Sequence, residues 1–390
     1  MNVHKDKTDL REKRWRISAF FFLSGLITAS WSSRIPDVQQ KLFLNDAAWG
    51  TVLAALPCGL ITGLFVAPFL VSRFGTQKTM VACGLLASIL LCLLGISAGT
   101  NQLRLVLFFV GFVRTIWSIS MNTGAVELQK NYGRPIVSRL HGLWSLACFA
   151  AAALGTLMIV RNIVPAFHFL IIALFCFPLS LFFGIRSKKE SVFVTDSRPL
   201  LTAPDTFIWL LGAIAFCVMT GESTMFDWSV NYFKQVVHAS KDLVTTGYTC
   251  FIITMAVGRL AGDYFLHRHG MMPVLMVNGI LMSVGFFIAS LFPSFFSAAL
   301  GFLFIGLGDS IIVPTIYSLA ARSNRLQPGF ALTTVTLVGY VGFLSAPLLI
   351  GFLSHRWNMR LAFALIGLLA ALIPFLTHQA SKQLSSPNLR

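Results

Sequence analysis

Uncharged apolar runs of about 20 residues recur from one end of this 390-residue chain to the other. That recurrence constrains the fold more than any other feature. At 1.5 Å per residue, roughly 20 residues of helix cross a hydrocarbon layer ~30 Å thick. Inside that layer every backbone amide and carbonyl must be paired within the protein, and runs of this length satisfy that as helices. The chain is 56% hydrophobic and only 11% charged, where soluble domains carry roughly 25% charged residues. It could not cover a water-facing surface. The opening "MNVHKDKTDLREKRWR" is polar and basic. The apolar run after it is longer than a signal peptide's and is followed by others, so it reads as an uncleaved first helix.

Twelve spans are predicted, at 16–34, 49–71, 79–98, 104–126, 140–160, 166–185, 207–231, 246–266, 273–292, 296–319, 330–352 and 361–377. The loops after even-numbered spans carry Arg73, Lys78, Lys130, Arg134, Arg139, Arg186, Lys188, Lys189, Arg198, Arg268, Arg322 and Arg325. The opposite loops are poorer in charge. The positive-inside rule therefore predicts both termini on the cytoplasmic side. It also accounts for the net charge of +16 without a nucleic-acid partner. Residues 186–206 read as a cytoplasmic linker between two domains, 1–185 and 207–390.

Enzymatic chemistry is not expected. "GISAG" (95–99) has the G-x-S-x-G pattern but lies at the end of an apolar span, without the strand–turn–helix setting that exposes a nucleophile. No Walker A pattern and no HExxH occur, so ATP use is not expected. The seven cysteines all fall in predicted spans, none at CxxC spacing. They read as small packing residues, with no disulfide, metal or cofactor implied.

The two halves look like copies. "GLFVAPFLVSRFG" (63–75) matches "GRLAGDYFLHRHG" (258–270) in Gly63/Gly258, Arg73/Arg268 and Gly75/Gly270, at an offset of 258 − 63 = 195. "GFVR" (111–114) falls on "GLGD" (306–309) at the same offset, 306 − 111 = 195. Parallel six-helix repeats are an established transporter architecture. On the repeat, the linker and the Gly/Arg-bearing loops, the chain resembles the major facilitator superfamily over nearly its whole length. "ASWSSRIPD" (29–37), "MNTGAVELQ" (121–129), "LHGLWSLA" (140–147) and "GESTMFDWS" (221–229) resemble a bacterial branch near the fucose permeases. The resemblance implies an all-α membrane protein with twelve transmembrane helices in two pseudo-symmetric six-helix bundles. Two positions depart from the family pattern. Ser118 stands where relatives usually carry an acid four residues before the span-four Asn, and Ser72 stands where loop 2–3 typically has Asp.

Glu222 is the sharpest candidate for chemistry. It lies roughly 22 Å along span seven, within the hydrocarbon depth, where a carboxylate facing lipid is costly. It must face a cavity or a partner, which suits a group that takes up and releases a proton; an interhelical structural bond is the alternative. Asp227 is about 140° further round the helix and nearer the outer interface beside Trp228, so both are expected to hold the mouth. Arg114 and Asp309 occupy equivalent repeat positions near mid-depth. Since the resemblance places spans 1, 4, 7 and 10 around a central cavity, they are expected to face one another as a charge pair, local pairing being the alternative. Trp31, Trp117, Trp144 and Trp228, with Asn122 and Tyr317, could line a polar–aromatic substrate pocket, although membrane tryptophans more often pack or anchor. His141, Arg73, Arg259 and Asp263 lie near cytoplasmic span ends and are read as gate or structural residues.

The expectation is a secondary transporter of the bacterial inner membrane, working by alternating access. It would be monomeric and proton-coupled, with a small polar organic substrate such as a sugar or sugar derivative. An efflux antiporter of amphipathic compounds and a non-transporting receptor or scaffold are the alternatives.

Overall fold

The computed structural model describes residues 2–132, 136–185, 205–320 and 328–385. The expected linker lies outside them over residues 186–204. In chain order the helices are α1 (Asn2–Lys41), α2 (Asp46–Leu53), α3 (Ala55–Phe74), α4 (Thr76–Ile96), α5 (Thr100–Tyr132), α6 (Val137–Val160) and α7 (Pro165–Ile185). They continue as α8 (Thr206–Gln235), α9 (Thr246–His269), α10 (Met271–Leu291), α11 (Phe295–Asp309), α12 (Ile312–Ala320), α13 (Pro328–Arg356) and α14 (Met359–Ser385). No strand occurs among the described residues.

Ten segments are long and apolar enough to cross a membrane, with α2 and α3 forming one (Asp46–Phe74) and α11 and α12 another (Phe295–Ala320). The helices α1 and α9, of 40 and 24 residues, have the length but a more polar composition. Together these make the twelve expected spans.

Proline explains where two spans divide. Pro314 has no N–H, so it cannot close the helical bond to the carbonyl of Ser310, four residues back. The helix is interrupted between Asp309 and Ile312. Pro57, in the first turn of α3, stands in the same relation to Leu53, the last residue of α2. In α13 the helix runs on through Pro347, which leaves the Phe343 carbonyl without its helical donor.

The helices form two compact units. One comprises Met1–Leu42 and Cys58–Thr195, and the other Phe43–Pro57 and Asp196–Arg390. In the first, α1 packs on α6 and α4 packs on α5 and α7. In the second, α8 packs on α13 and α14, and α11 packs on α9 and α10. The short α2 packs with the second unit although the chain continues from it into α3. Its Gly50 lies against the backbone of Pro347 and Gly351. Its Asp46 carboxylate accepts hydrogen bonds from Ser354 Oγ at 2.5 Å and Gln235 Nε2 at 3.4 Å.

The internal repeat is visible in the backbone. Gly75 and Gly270, 195 positions apart, have φ of 83° and 80°, a left-handed conformation that only glycine adopts without strain. Each connects two helices. Two residues before each, an arginine meets the aromatic ring four residues back. The Arg73 guanidinium lies 5.8 Å from the Phe69 ring centre, and Arg268 donates to Tyr264 Oη at 2.8 Å.

Candidate functional site

The polar centre of the second unit is built around α8, where Ser223 and Glu222 answer two different needs. Ser223 Oγ lies 3.2 Å from the Phe343 carbonyl that Pro347 deprives of its helical donor. It also lies 3.2 Å from Asp227 Oδ2, one helical turn along. Asp227 is thus tied to its own helix. The neighbouring Trp228 is buried, and its indole N–H meets no acceptor among the described residues.

Glu222 meets a cation from α9. Arg259 Nη2 lies 3.8 Å from Glu222 Oε1, with the side chains 21% and 14% exposed. The same guanidinium donates through Nε to the Ser310 carbonyl at 3.2 Å, the carbonyl that Pro314 strands at the end of α11. Arg259 therefore serves as a counter-charge and as a cap for a broken helix. A cation at a helix C-terminus is also favoured by the peptide dipoles. Gly258 makes the approach possible, because a side chain there would run into Ser310.

Asp309 is the last residue of α11 and is 2% exposed. Neither carboxyl oxygen has a hydrogen-bond partner among the described residues. Its charged neighbours are Glu222 and Arg259. Beside them, Tyr317 of α12 accepts a hydrogen bond from Thr336 Oγ1 at 3.1 Å, with Tyr340 and Glu222 within electrostatic reach. Among the described residues two acids thus share one permanently charged guanidinium, so the charge-neutral form of these three groups carries one proton. The discontinuous span that presents it is the kind of element that builds sites in transporters.

In the first unit, α5 and α6 bring Asn122 and His141 together. Asn122 Nδ2 donates to the Ser118 carbonyl at 2.9 Å. That orientation turns Oδ1 toward His141 Nε2, 3.1 Å away, so Nε2 carries the proton in this network. Phe21 packs edge-on against the imidazole, with ring centres 5.1 Å apart. Trp117 is buried and packs edge-on against Phe20 at 6.4 Å. Trp31 is buried beside Phe169, at 6.3 Å.

Of the residues expected from sequence, the structure gathers Glu222, Arg259, Asp309 and Tyr317 into one cluster and Asn122 and His141 into another. Arg114 belongs to the first unit, where it is half-buried, and Asp309 to the second. Arg73 is exposed at the end of α3. The Asp263 side chain lies outside the described residues. Ser223, Ser310, Thr336 and Tyr340 were not anticipated. For the first two a signal existed in the prolines: Ser223 answers the carbonyl four residues before Pro347, and Ser310 bears the carbonyl four residues before Pro314. Among the described residues, no group of His, Cys, Asp and Glu could hold a metal ion.

Residues 17–327 match the sequence model of the Major Facilitator Superfamily. This chain belongs to that superfamily. It is accordingly a multi-pass membrane transporter and not an enzyme. A relative named as an uncharacterized transporter, y4wD, from Sinorhizobium fredii is 29% identical over 366 residues, covering 93% of this chain and 97% of the relative. Among major facilitator structures, a variant of the nucleoside transporter NupG superposes with a TM-score of 0.75 at 12% identity, covering 94% of this chain and 99% of that one. The fucose:proton symporter FucP of E. coli gives 0.67 at 15% identity, covering 94% and 97%. At these identities the structural likeness carries the fold alone.

Proposed function

We propose that this major facilitator protein is a proton-coupled transporter of a small polar organic solute, such as a sugar or sugar derivative. Glu222, Arg259 and Asp309 carry the coupling proton. The observation behind this is the acid–base count among the described residues: two carboxyl groups, one guanidinium, and a buried Asp309 with no hydrogen bond. A charge left uncompensated at such depth is expensive. The cluster therefore exchanges a proton, or a polar group of the solute, when its surroundings change between the two access states. Within this unit Tyr317 and Thr336 offer hydroxyl groups to a neutral polar solute; within the first unit Asn122, hydrogen-bonded to His141, is a separate candidate for contact with the solute. The two solved neighbours, a nucleoside transporter and a fucose:proton symporter, support a polar solute as well. The charge asymmetry of the loops supports a bacterial inner-membrane protein with both termini cytoplasmic. The bilayer, the solute and protons are its expected partners, and a monomer its working state.

The test is solute-driven proton movement in proteoliposomes across a panel of neutral sugars, nucleosides, organic acids and lipophilic cations. Proton uptake is expected with a neutral polar solute, and its loss in Glu222→Gln. Proton release driven only by lipophilic cations would favour an efflux antiporter instead. Undiminished proton coupling in Glu222→Gln would remove that residue from the mechanism.

A further inference from the structure

His168, in the first turn of α7, is a buried titratable group that transport as proposed does not use. Its side chain is 0% exposed, and neither ring nitrogen has a hydrogen-bond partner among the described residues. Arg34 of α1, 3% exposed, lies within electrostatic reach. That guanidinium is held from two sides. Its Nε pairs with Asp37 Oδ2 at 2.7 Å, and its Nη2 donates to the Ile163 carbonyl at 2.6 Å, in the connection that leads into α7. Gly155 of α6 makes room for this contact, since a side chain there would run into Ser33 and reach the His168 ring. One residue on, Phe169 packs against Trp31 of the same α1. The end of α1 remote from the basic N-terminus is thus tied to the start of α7.

A proton on His168 would meet three obstacles in this packing. It would set a second cation beside Arg34, whose acid, Asp37, is already engaged. It would put positive charge in the first turn of a helix, where the peptide dipoles disfavour it. Both ring N–H groups would be buried without an acceptor. Among the described residues, the other charged groups at this end of the first unit are cations. Lys41 donates to the Gly95 and Ser97 carbonyls at the end of α4, Arg104 begins α5, and Arg161 is exposed after α6. Lys78 of α4, and Arg139 and His141 of α6, lie at the opposite ends of their helices.

We propose that His168 and Arg34 form an acid-sensitive latch between α1 and α7. The neutral ring packs against α1, and a proton on it drives the start of α7 away and brings both cations to water. The open arrangement binds the extra proton, so the packed one is favoured above the ordinary histidine range and lost as pH falls below it. The loop charges make this the external end, so acidity outside loosens it. That sidedness rests on the topology proposed above; the latch itself does not.

Hydrogen–deuterium exchange of the purified full-length protein in detergent, read by mass spectrometry in peptides covering residues 30–41 and 161–169, measures the opening. A proton taken only by the open form, at an ordinary histidine pKa of about 6.5, raises opening about 25-fold between about pH 7 and about pH 5. The wild type is expected to show that rise in both peptides, after correction for the intrinsic pH dependence of amide exchange. His168→Gln, neutral at both pH values, should show none, and Arg34→Gln a smaller rise than the wild type. The thermal midpoint at neutral pH reports whether each variant folds. Should His168→Gln fail to fold, His168→Asn takes its place, and the wild-type profile stands without Arg34→Gln. A flat wild-type profile, or an equal rise in the neutral His168 variant, would overturn the latch.

Discussion

Replacing Arg259 tests two interactions at once, and the structure separates them. Arg259→Gln removes the counter-charge of Glu222 but keeps a side-chain amide within reach of the Ser310 carbonyl. Arg259→Met removes both. At the 3.8 Å separation of the pair, two unit charges in an effective dielectric of ~20 attract by about 4 kcal/mol. Both side chains are less than a quarter exposed, so solvent screening takes only part of this. Breaking a buried pair by removing one partner typically costs ~3–5 kcal/mol, because the other charge stays behind. Arg259→Gln is therefore expected to destabilise by about 3 kcal/mol, and Arg259→Met by about 1 kcal/mol more through the orphaned carbonyl. The double variant Glu222→Gln/Arg259→Gln should recover much of the loss, since no lone charge remains from the pair. Cys83, Cys148, Cys176 and Cys217 are free and buried, so a thiol-reactive dye in a thermal ramp reads the unfolding of the protein. A double variant no more stable than Arg259→Gln would refute the reasoning and reduce Arg259 to a helix cap.

Three further outcomes follow from particular contacts. Ser223→Ala should destabilise by about 1–3 kcal/mol, because the Phe343 carbonyl exposed by Pro347 loses its donor; the same thermal assay measures it, and Ser223→Thr should retain most of the stability. Gly50→Val should fold poorly or lower the midpoint sharply, since its side chain would meet the Pro347 carbonyl, while Thr51→Val on the exposed side of α2 should not. Asn122→Ala and His141→Ala should be non-additive in solute affinity, because one hydrogen bond joins them; strictly additive losses would separate the two residues.

Much of the architecture was legible because it depends on patterns that the membrane makes nearly obligatory. The spans follow from apolar length, and the repeat from Gly75 and Gly270, which serve the same left-handed connection in each half. The placement of Arg259 was not legible. Counting from the end of its span suggested a gate, yet its guanidinium meets Glu222 and caps the end of α11, which depends on how α8, α9 and α11 pack. The interruption at Ser310 could have been read from Pro314, but a proline inside an apolar span signals a kink without saying which side chain answers the freed carbonyl. Tryptophans were equally ambiguous. An indole in an apolar run carries no mark of which way it faces, and Trp117 and Trp228 are buried in packing contacts.

The proton carried by the cluster is the central claim, and infrared spectroscopy can look for it without a substrate. Difference spectra between acidic and alkaline pH, recorded in the carboxyl stretching region, count protonated carboxyl groups directly. The wild-type protein should show the gain and loss of one buried carboxylic acid, sensitive to exchange into heavy water. That signal should vanish or shift in both Asp309→Asn and Glu222→Gln, because either change leaves one acid for the one guanidinium of Arg259. Spectra of the two variants indistinguishable from the wild type would contradict the account.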